Sequence, residues 1–178
     1  MGRFKKLNDD VRELGEMVLQ DQDLCKLIYY PDDNPLEQPD INGRRTILDK
    51  RLLLFTPKLP LAKEEGTFVS IRPARFKPTK GGYFIVSLLC FYIYSQKDIR
   101  PIMYKDKEGN IKTGDRVILI MDRIEEIVNN VNFSVGKDNL YDVSEIANNN
   151  ATFSGYVMGY EDVDFRDLSR WWEMKINK

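Results

Sequence analysis

The sequence predicts an α/β protein of the α+β type, in which amphipathic helices pack on a sheet built around one long apolar strand. That strand is expected over residues 83–94, where both alternating rows of side chains are apolar except at Ser87. A strand of this kind is covered on both faces, so it belongs in the middle of a sheet. A chain of 178 residues can build a core without disulfides or metals. We therefore expect one α+β domain over residues 1–166 and a tail at 167–178.

Three segments show the three- and four-residue spacing of amphipathic helices. They are residues 7–19, 23–30 and 115–130. In the first helix, Asn8 or Asp9 is placed to accept the unpaired backbone N–H groups at its start. The second helix ends because Pro31 cannot continue it. The third follows Thr113-Gly114-Asp115 and must lie on the sheet, because its apolar stripe runs along its whole length.

Further strands are expected at residues 52–55, 68–71 and 153–160. The segment 52–55 is predicted to be a strand at a sheet edge or one that ends in a turn, since Pro57 and Pro60 follow it closely. In the segment 153–160, Tyr156, Met158 and Tyr160 form one row, and Gly155 and Gly159 lie on the other. We expect this strand to continue into Val163 and Phe165. The acidic, proline-containing segment 31–50 predicts an ordered loop or arm within the domain.

Composition excludes several classes of function. The 27 basic and 28 acidic side chains leave a net charge of −1, so binding to DNA or to an anionic membrane would need a local patch. The chain has no histidine, which excludes Ser-His-Asp and Cys-His catalysis and an ordinary zinc site. Cys25 and Cys90 are expected to be reduced, buried thiols of a cytosolic protein. Neither a signal peptide nor an apolar run of the roughly 18 to 20 residues needed to cross a bilayer is expected.

The segment 72–82 is the strongest candidate for contact with DNA. It contains four cations and no acidic residue, together with two prolines and two glycines, which predicts a semi-stiff basic loop leading into the central strand. The cations are Arg72, Arg75, Lys77 and Lys80. Such a loop binds phosphates through charge without reading bases. An ordinary exposed hairpin loop has the same composition, and that alternative stays open.

Two further groups near the end of the chain have both a functional and a structural interpretation. Trp171 and Trp172 are adjacent, so one ring can pack on the domain while the other anchors a partner, or both can cover the core. Four late carboxylates could hold magnesium, although a solvated strand face, which we favour, explains their alternation with Val163 and Phe165. These carboxylates are Glu161, Asp162, Asp164 and Asp167.

The order of these elements and two segments resemble the tail-terminator and head-to-tail joining proteins of tailed bacteriophages. One segment is residues 153–160 running into Glu161-Asp162-Val163-Asp164-Phe165. The other is residues 27–36 followed by Pro39-Asp40-Ile41, which is similar to a segment of phage neck and tail-completion proteins. The resemblance covers most of the chain. It implies a mostly antiparallel mixed sheet with helices on one face, assembled as a ring, with a hexamer favoured.

The resemblance further implies a non-enzymatic virion protein without cofactor or metal, made in the cytoplasm of the bacterial host. Its partners would be copies of itself, the head connector or adaptor and the tail tube, with DNA passing through the ring and no membrane contact. Subunit contacts are expected at Tyr29, Tyr30, Leu36, Trp171 and Trp172, and the lumen at Arg72, Arg75, Lys77 and Lys80. The alternatives are a baseplate or other minor tail protein, a magnesium-dependent nuclease or similar metalloenzyme that uses the late carboxylates, and a monomeric host-directed phage factor.

Overall fold

The structure, a computed structural model, describes residues 3–42, 47–48, 50–55, 66–78, 85–130, 140–146 and 152–161. Within these residues the chain forms three α-helices, a five-stranded mixed sheet and a separate two-stranded sheet. The helices are α1 (Arg3–Gln20), α2 (Gln22–Tyr29) and α3 (Arg116–Asn130). The strands are β1 (Leu52–Leu54), β2 (Thr67–Pro78), β3 (Ile85–Gln96), β4 (Pro101–Lys105), β5 (Ile111–Asp115), β6 (Leu140–Glu145) and β7 (Phe153–Glu161). The predicted α+β fold class is confirmed.

The large sheet has the strand order β1-β2-β3-β7-β6, and the small sheet pairs β4 with β5. β1 runs parallel to β2, and the other pairs are antiparallel. The long apolar strand is therefore central, as predicted, and β1 lies at an edge, as predicted. β3 places Phe91 opposite Ile71 on one side and opposite Met158 on the other. This register aligns the apolar rows of three strands on one face of the sheet.

All three helices share one large core cluster with that face of the sheet, so the helices pack on one side, as expected. The sheet contributes Val69, Ile71, Leu89, Phe91, Ile93, Met158 and Tyr160, all of them buried. A smaller cluster of Phe68, Tyr94 and Phe153 lies on the opposite face, here called the second face. Both faces of β3 therefore carry buried side chains, which explains why both of its rows are apolar.

The helix starts follow local capping chemistry in two cases out of three. Asp21 accepts a hydrogen bond from the Leu24 backbone N–H at 2.9 Å and begins α2. Asp115 accepts one from the Val117 N–H at 2.8 Å and begins α3. The prediction for α1 was wrong at its start, because the helix begins at Arg3 and places Asn8 and Asp9 inside it.

In its described part, residues 72–78, the basic segment is a strand and not the predicted loop, and residues 79–82, which include both glycines, lie outside the described residues. Residues 72–78 continue β2, and the pairing with β3 extends to Pro78 opposite Ile85. Cross-strand hydrogen bonding to the long neighbour overrides the local turn preference, and the register shift after Ala74 accommodates it. β1 pairs only with residues 69–71 of β2, so among the described residues the outer side of 72–78 is an edge, where proline is tolerated.

Two elements were not predicted. The β4–β5 hairpin turns at residues 106–110, where Gly109 has a φ of +84°. β6 shows no clear alternation, because its described side chains are all exposed. Residues 31–42 form the predicted ordered loop, with one short 3-10 turn at Pro35–Glu37. Val163, Phe165 and the proposed tail at 167–178 lie outside the described residues, and the division into a domain and a tail stays a prediction.

Candidate functional site

The end of α2 and the loop that follows it carry three of the residues expected at a subunit contact. Tyr29 is 38% exposed, and its ring meets that of Tyr30 edge to face with centroids 5.0 Å apart. The Tyr30 hydroxyl donates to the Pro39 carbonyl at 3.1 Å. Leu36 is half-buried against the main core. Tyr29 thus presents the most accessible ring of this group, whereas Leu36 contributes mainly to the core of its own chain.

Hydrogen bonds and an ion pair hold this loop against other parts of its own chain. Gln22 on α2 accepts from the Ile41 N–H at 3.0 Å, and Lys26 forms an ion pair with Asp40 at 2.7 Å. On the other side, the Met103 N–H of β4 donates to the Asp33 carbonyl at 2.6 Å. The described part of the segment is therefore a strap between α2 and the β4–β5 hairpin rather than a projecting arm.

Arg116 is the centre of this arrangement. Its side chain is fully buried, and its guanidinium donates to the carbonyls of Leu27 and Ile99, both at 2.8 Å. It also donates to the carbonyls of Tyr30 and Asp32. Burial lowers the pKa of Arg116 to about 10, so it remains charged at neutral pH. The first residue of α3 thus fixes the end of α2 and the start of the strap.

The four basic residues expected at the lumen do not form one loop. Arg72 lies on β2 with its guanidinium over the ring of Tyr92, 4.0 Å from the centroid. Its Nε is buried and has no hydrogen-bond partner among the described residues. Arg75 and Lys77 are on the same strand, and Lys80 lies outside the described residues, as do Trp171 and Trp172. The three described cations are therefore spread along a strand.

A polar cleft of about 460 Å³ opens between the β4–β5 hairpin and the adjoining ends of β6 and β7. Arg100 and Asp115 form a two-point ion pair there, and the same guanidinium donates to the Ser154 hydroxyl at 2.7 Å. Lys97 and Glu145 complete the charged lining. Since Asp115 also caps α3, its carboxylate is committed to structural contacts. Arg100 and Asp115 neutralise each other at this cleft.

Two other buried titratable groups, Cys25 and Tyr160, have raised pKa values. Burial, with a smaller contribution from Asp21, raises the pKa of the Cys25 thiol to about 11, so Cys25 is an inert protonated thiol at neutral pH. Cys25 and Cys90 are both buried thiols, as predicted. Burial also raises the pKa of Tyr160, whose hydroxyl has no hydrogen-bond partner among the described residues.

The late carboxylates lie almost entirely outside the described part of the chain. Glu161 ends β7, and Asp162, Asp164 and Asp167 follow it beyond the described residues. In the ranges that the structure describes, no three His, Cys, Asp or Glu residues come together as a metal site would need. None of the described helices combines the length and the apolar character that a membrane-spanning helix requires.

The outer edge of β6 is a feature that sequence reasoning missed. No described strand pairs with it on the side away from β7. On this strand Leu140 is 39% exposed and Val143 is 42% exposed. Because Val143 stands opposite Met158, which is buried in the core beneath the helices, β6 extends the apolar face of the sheet beyond the helical layer. An open edge with exposed apolar side chains is a template for pairing with another chain.

Comparison with known proteins gives a family but no function. No curated protein and no solved structure shows a significant match to the chain. The model of one protein family, described as YomW, matches residues 21–161. The matched range begins at the residue that caps α2 and ends with the last residue of β7, so it contains α2, α3 and every strand of both sheets. The chain belongs to the YomW family.

Proposed function

We propose that this chain is a structural subunit of a bacteriophage neck, similar to tail terminators, that assembles into a ring and transforms no substrate. The observation that carries the proposal is the open edge of β6 with its exposed Leu140 and Val143. A ring is a natural use of such an edge, because each subunit covers the edge of the next and closure leaves none exposed. The layout of helices and strands that resembles neck proteins supports the same function.

The two edges of the large sheet are unequal, which fits a directional contact between subunits. β1 has only three residues and is followed by Phe55, whose φ of +64° turns the chain away from a strand conformation. β6 has six residues and no described covering strand. Short edges resist pairing and longer ones permit it. Subunit association is therefore expected to depend on β6 far more than on β1.

In such a ring the described cations of β2 would line or approach the channel. The Arg72 guanidinium lies over the Tyr92 ring, a cation–π contact that holds the side chain without neutralising its charge. A fixed cation that contacts phosphates through charge alone suits a passage for DNA, since it binds every sequence alike. Its contribution should fall with salt, because each neutralised phosphate releases counterions.

The decisive test is the location of the protein in intact particles. Immunogold labelling of purified virions should place the protein at the junction of capsid and tail. Labelling at the distal tip would instead support a baseplate protein, and unlabelled particles would contradict a virion function.

A second experiment tests the edge itself. Val143→Asp places a charge on β6 and should shift the protein toward monomers in native mass spectrometry. Ile118→Asp is the matched control, because Ile118 is also 42% exposed but lies on α3. Equal oligomer populations for the two variants would contradict assembly through β6.

A further inference from the structure

α1 and α2 are joined by a single residue that is not helical. Asp21 has an extended backbone, with a φ of −82° and a ψ of 104°. Helical hydrogen bonds nevertheless reach it from both sides. The Asp21 N–H donates to the Met17 carbonyl at 3.2 Å, and the Cys25 N–H donates to the Asp21 carbonyl at 2.9 Å. The two helices are therefore one helical segment that bends at one residue.

The local sequence does not require this bend. Residues 17–29 contain neither glycine nor proline, the residues that most often end a helix. Apolar side chains also continue through the junction at alternating steps of three and four positions, which on a straight helix form one stripe. Asp21 is the one charged position in that stripe. Its members are Leu7, Val11, Leu14, Val18, Asp21, Cys25 and Ile28.

Three side chains hold the junction in its bent form. Asp21 caps α2, and its carboxylate also accepts from Arg123 of α3 at 2.6 Å. The Cys25 thiol, a weak donor, donates to the carbonyls of Val18 and Leu19 at 3.4 and 3.7 Å. In a straight helix those two carbonyls would accept from the backbone N–H groups four residues later. The bent junction thus gives up backbone hydrogen bonds that a straight helix would form.

The surface that α1 covers fits this helix closely. At Gly15 a Cβ atom would lie 2.9 Å from the Leu54 side chain of β1, so the missing side chain lets α1 approach the sheet. Val11 and Leu14 of α1 are fully buried in the main core. Because every copy of the chain has the same surface, α1 of a second copy would make the same contacts there. The contacts within one chain therefore identify the helix that this surface accepts.

α1 also lies outside the part of the chain that the family model matches. The match begins at residue 21, which is the residue at the bend. By that comparison, α1 is an addition in front of the unit that the family shares. A short connection between a helix and its domain favours exchange of that helix between identical chains.

We propose that α1 is exchanged between copies of this chain, in addition to contacts at β6. When the junction straightens, residues 3–29 form one helix, about 40 Å long, and α1 leaves its own sheet. In a single chain this exposes the apolar stripe to water, whereas beside a second copy α1 takes the same place on that copy and stays buried. The inference rests on the proposed ring function, in which each copy gives its helix to the next until the ring closes.

Co-expression of two single-substitution proteins tests the exchange. Gly15→Cys in a tagged copy places a thiol on α1, and Leu54→Cys in an untagged copy places one on β1, at positions that touch within a chain. Mild oxidation should then link the two copies, because α1 of the tagged copy packs on β1 of the untagged copy. The linked heterodimer is resolved on a non-reducing gel after purification by the tag, and its absence would overturn the inference.

Gln22, the first residue of α2, offers a variant that blocks straightening. Gln22→Pro fits the bent form, because proline is favoured at the first helical position and Asp21 before it is already extended. In a straight helix the same proline lacks an N–H and collides with the Val18 carbonyl. Gln22→Ala is the matched control, since it loses the same side-chain bonds to Ile41 but keeps the N–H. In both copies, Gln22→Pro should lower the heterodimer yield about tenfold or more relative to Gln22→Ala, and equal yields would overturn the inference.

Asp21→Ala acts in the opposite direction and separates the exchange from the proposed function. It removes the cap of α2 and the partner of Arg123, so it should raise the association constant about tenfold in native mass spectrometry. An unchanged constant would overturn the inference even if the proline variant failed to fold. A cross-link that Gln22→Pro blocks, without gold labelling at the capsid–tail junction, would support the exchange and refute the neck function. Labelling at the junction without any cross-link would refute the exchange and leave the neck function standing.

Discussion

Replacing Arg116 should destabilise this protein more than replacing any other arginine that the structure describes. Arg116→Met keeps a long side chain but removes the charge and every donor. Four backbone carbonyls, at Leu27, Tyr30, Asp32 and Ile99, then lose the group that they bind. Those carbonyls belong to α2, the strap and the segment before β4, so the variant loosens the point where three parts of the fold meet.

The magnitude follows from two opposing effects. Hydrogen bonds to a charged donor contribute about 1.5–3 kcal/mol each, so four of them represent roughly 8 kcal/mol. Burial lowers the pKa of Arg116 from 12.5 to about 10, which corresponds to roughly 3 kcal/mol for holding the charge away from water. In Arg116→Met, water can hydrogen-bond to some of these carbonyls, which reduces the loss of stability further. We expect a loss of about 4 kcal/mol, a large part of the 5–15 kcal/mol of a typical domain.

Urea unfolding followed by circular dichroism measures this loss, with Arg123→Met as the matched control. Arg123 is on the same helix and pairs with Asp21 at 2.6 Å and with Glu126 at 2.8 Å, but its side chain is 36% exposed. Exposed pairs contribute only about 0–1 kcal/mol. Arg116→Lys should fall between the wild type and Arg116→Met, because one ammonium cannot reach four carbonyls. A cost for Arg116→Met no greater than that for Arg123→Met would refute the reasoning.

Three further predictions concern single sites. In urea unfolding, Gly155→Ala should lower the free energy of unfolding by several kcal/mol, because its Cβ would lie 1.8 Å from the Ile93 carbonyl oxygen. Gly159→Ala should leave the free energy of unfolding unchanged or raise it by about 0.5–1 kcal/mol. Equal effects of the two substitutions would contradict the register between β3 and β7. Between pH 9 and 11 the Cys25 thiol ionises in the unfolded chain first, because burial raises its folded pKa to about 11. Stability should therefore fall by about 3 kcal/mol across that range, and Cys25→Ala should show a shallower fall in urea titrations at each pH. Asp115→Ala should lower the stability by about 2 kcal/mol, because it removes both the cap of α3 and the ion pair with Arg100. Asp115→Asn should lower it by about half as much, since asparagine can still cap the helix. Identical melting curves for the two variants would argue against a role for the ion pair.

Elements whose signal is local were predictable. The apolar stripes of α2 and α3 and the caps at Asp21 and Asp115 need only neighbouring residues, so spacing located them. The central position of β3 was predictable because both of its alternating rows of side chains are apolar, which neighbouring residues alone reveal. The prediction of a loop was wrong for residues 72–78 because turn residues set only a weak local preference, and the eleven paired positions between β2 and β3 outweighed it.

The candidate contact site was less predictable than the fold. Tyr29 and Tyr30 were identified by composition, but the structure shows that the strap beside them is tied to its own chain through Arg116. The exposed Val143 and Ile111 carry no signal in the sequence, since an apolar residue in a strand normally lies in the core. Only the strand order and the extent of the helical layer reveal that these two side chains remain uncovered.

The amino-acid sequence by itself determined the fold class, the central strand, the reduced thiols and the absence of histidine chemistry, because each depends on residue type or on local spacing. The tertiary structure alone decided the strand order, the edge of β6 that no described strand covers, the continuation of β2 to Pro78 and the burial of Arg116. These depend on pairing between residues far apart in the chain, where hydrogen bonding and burial outweigh local preference.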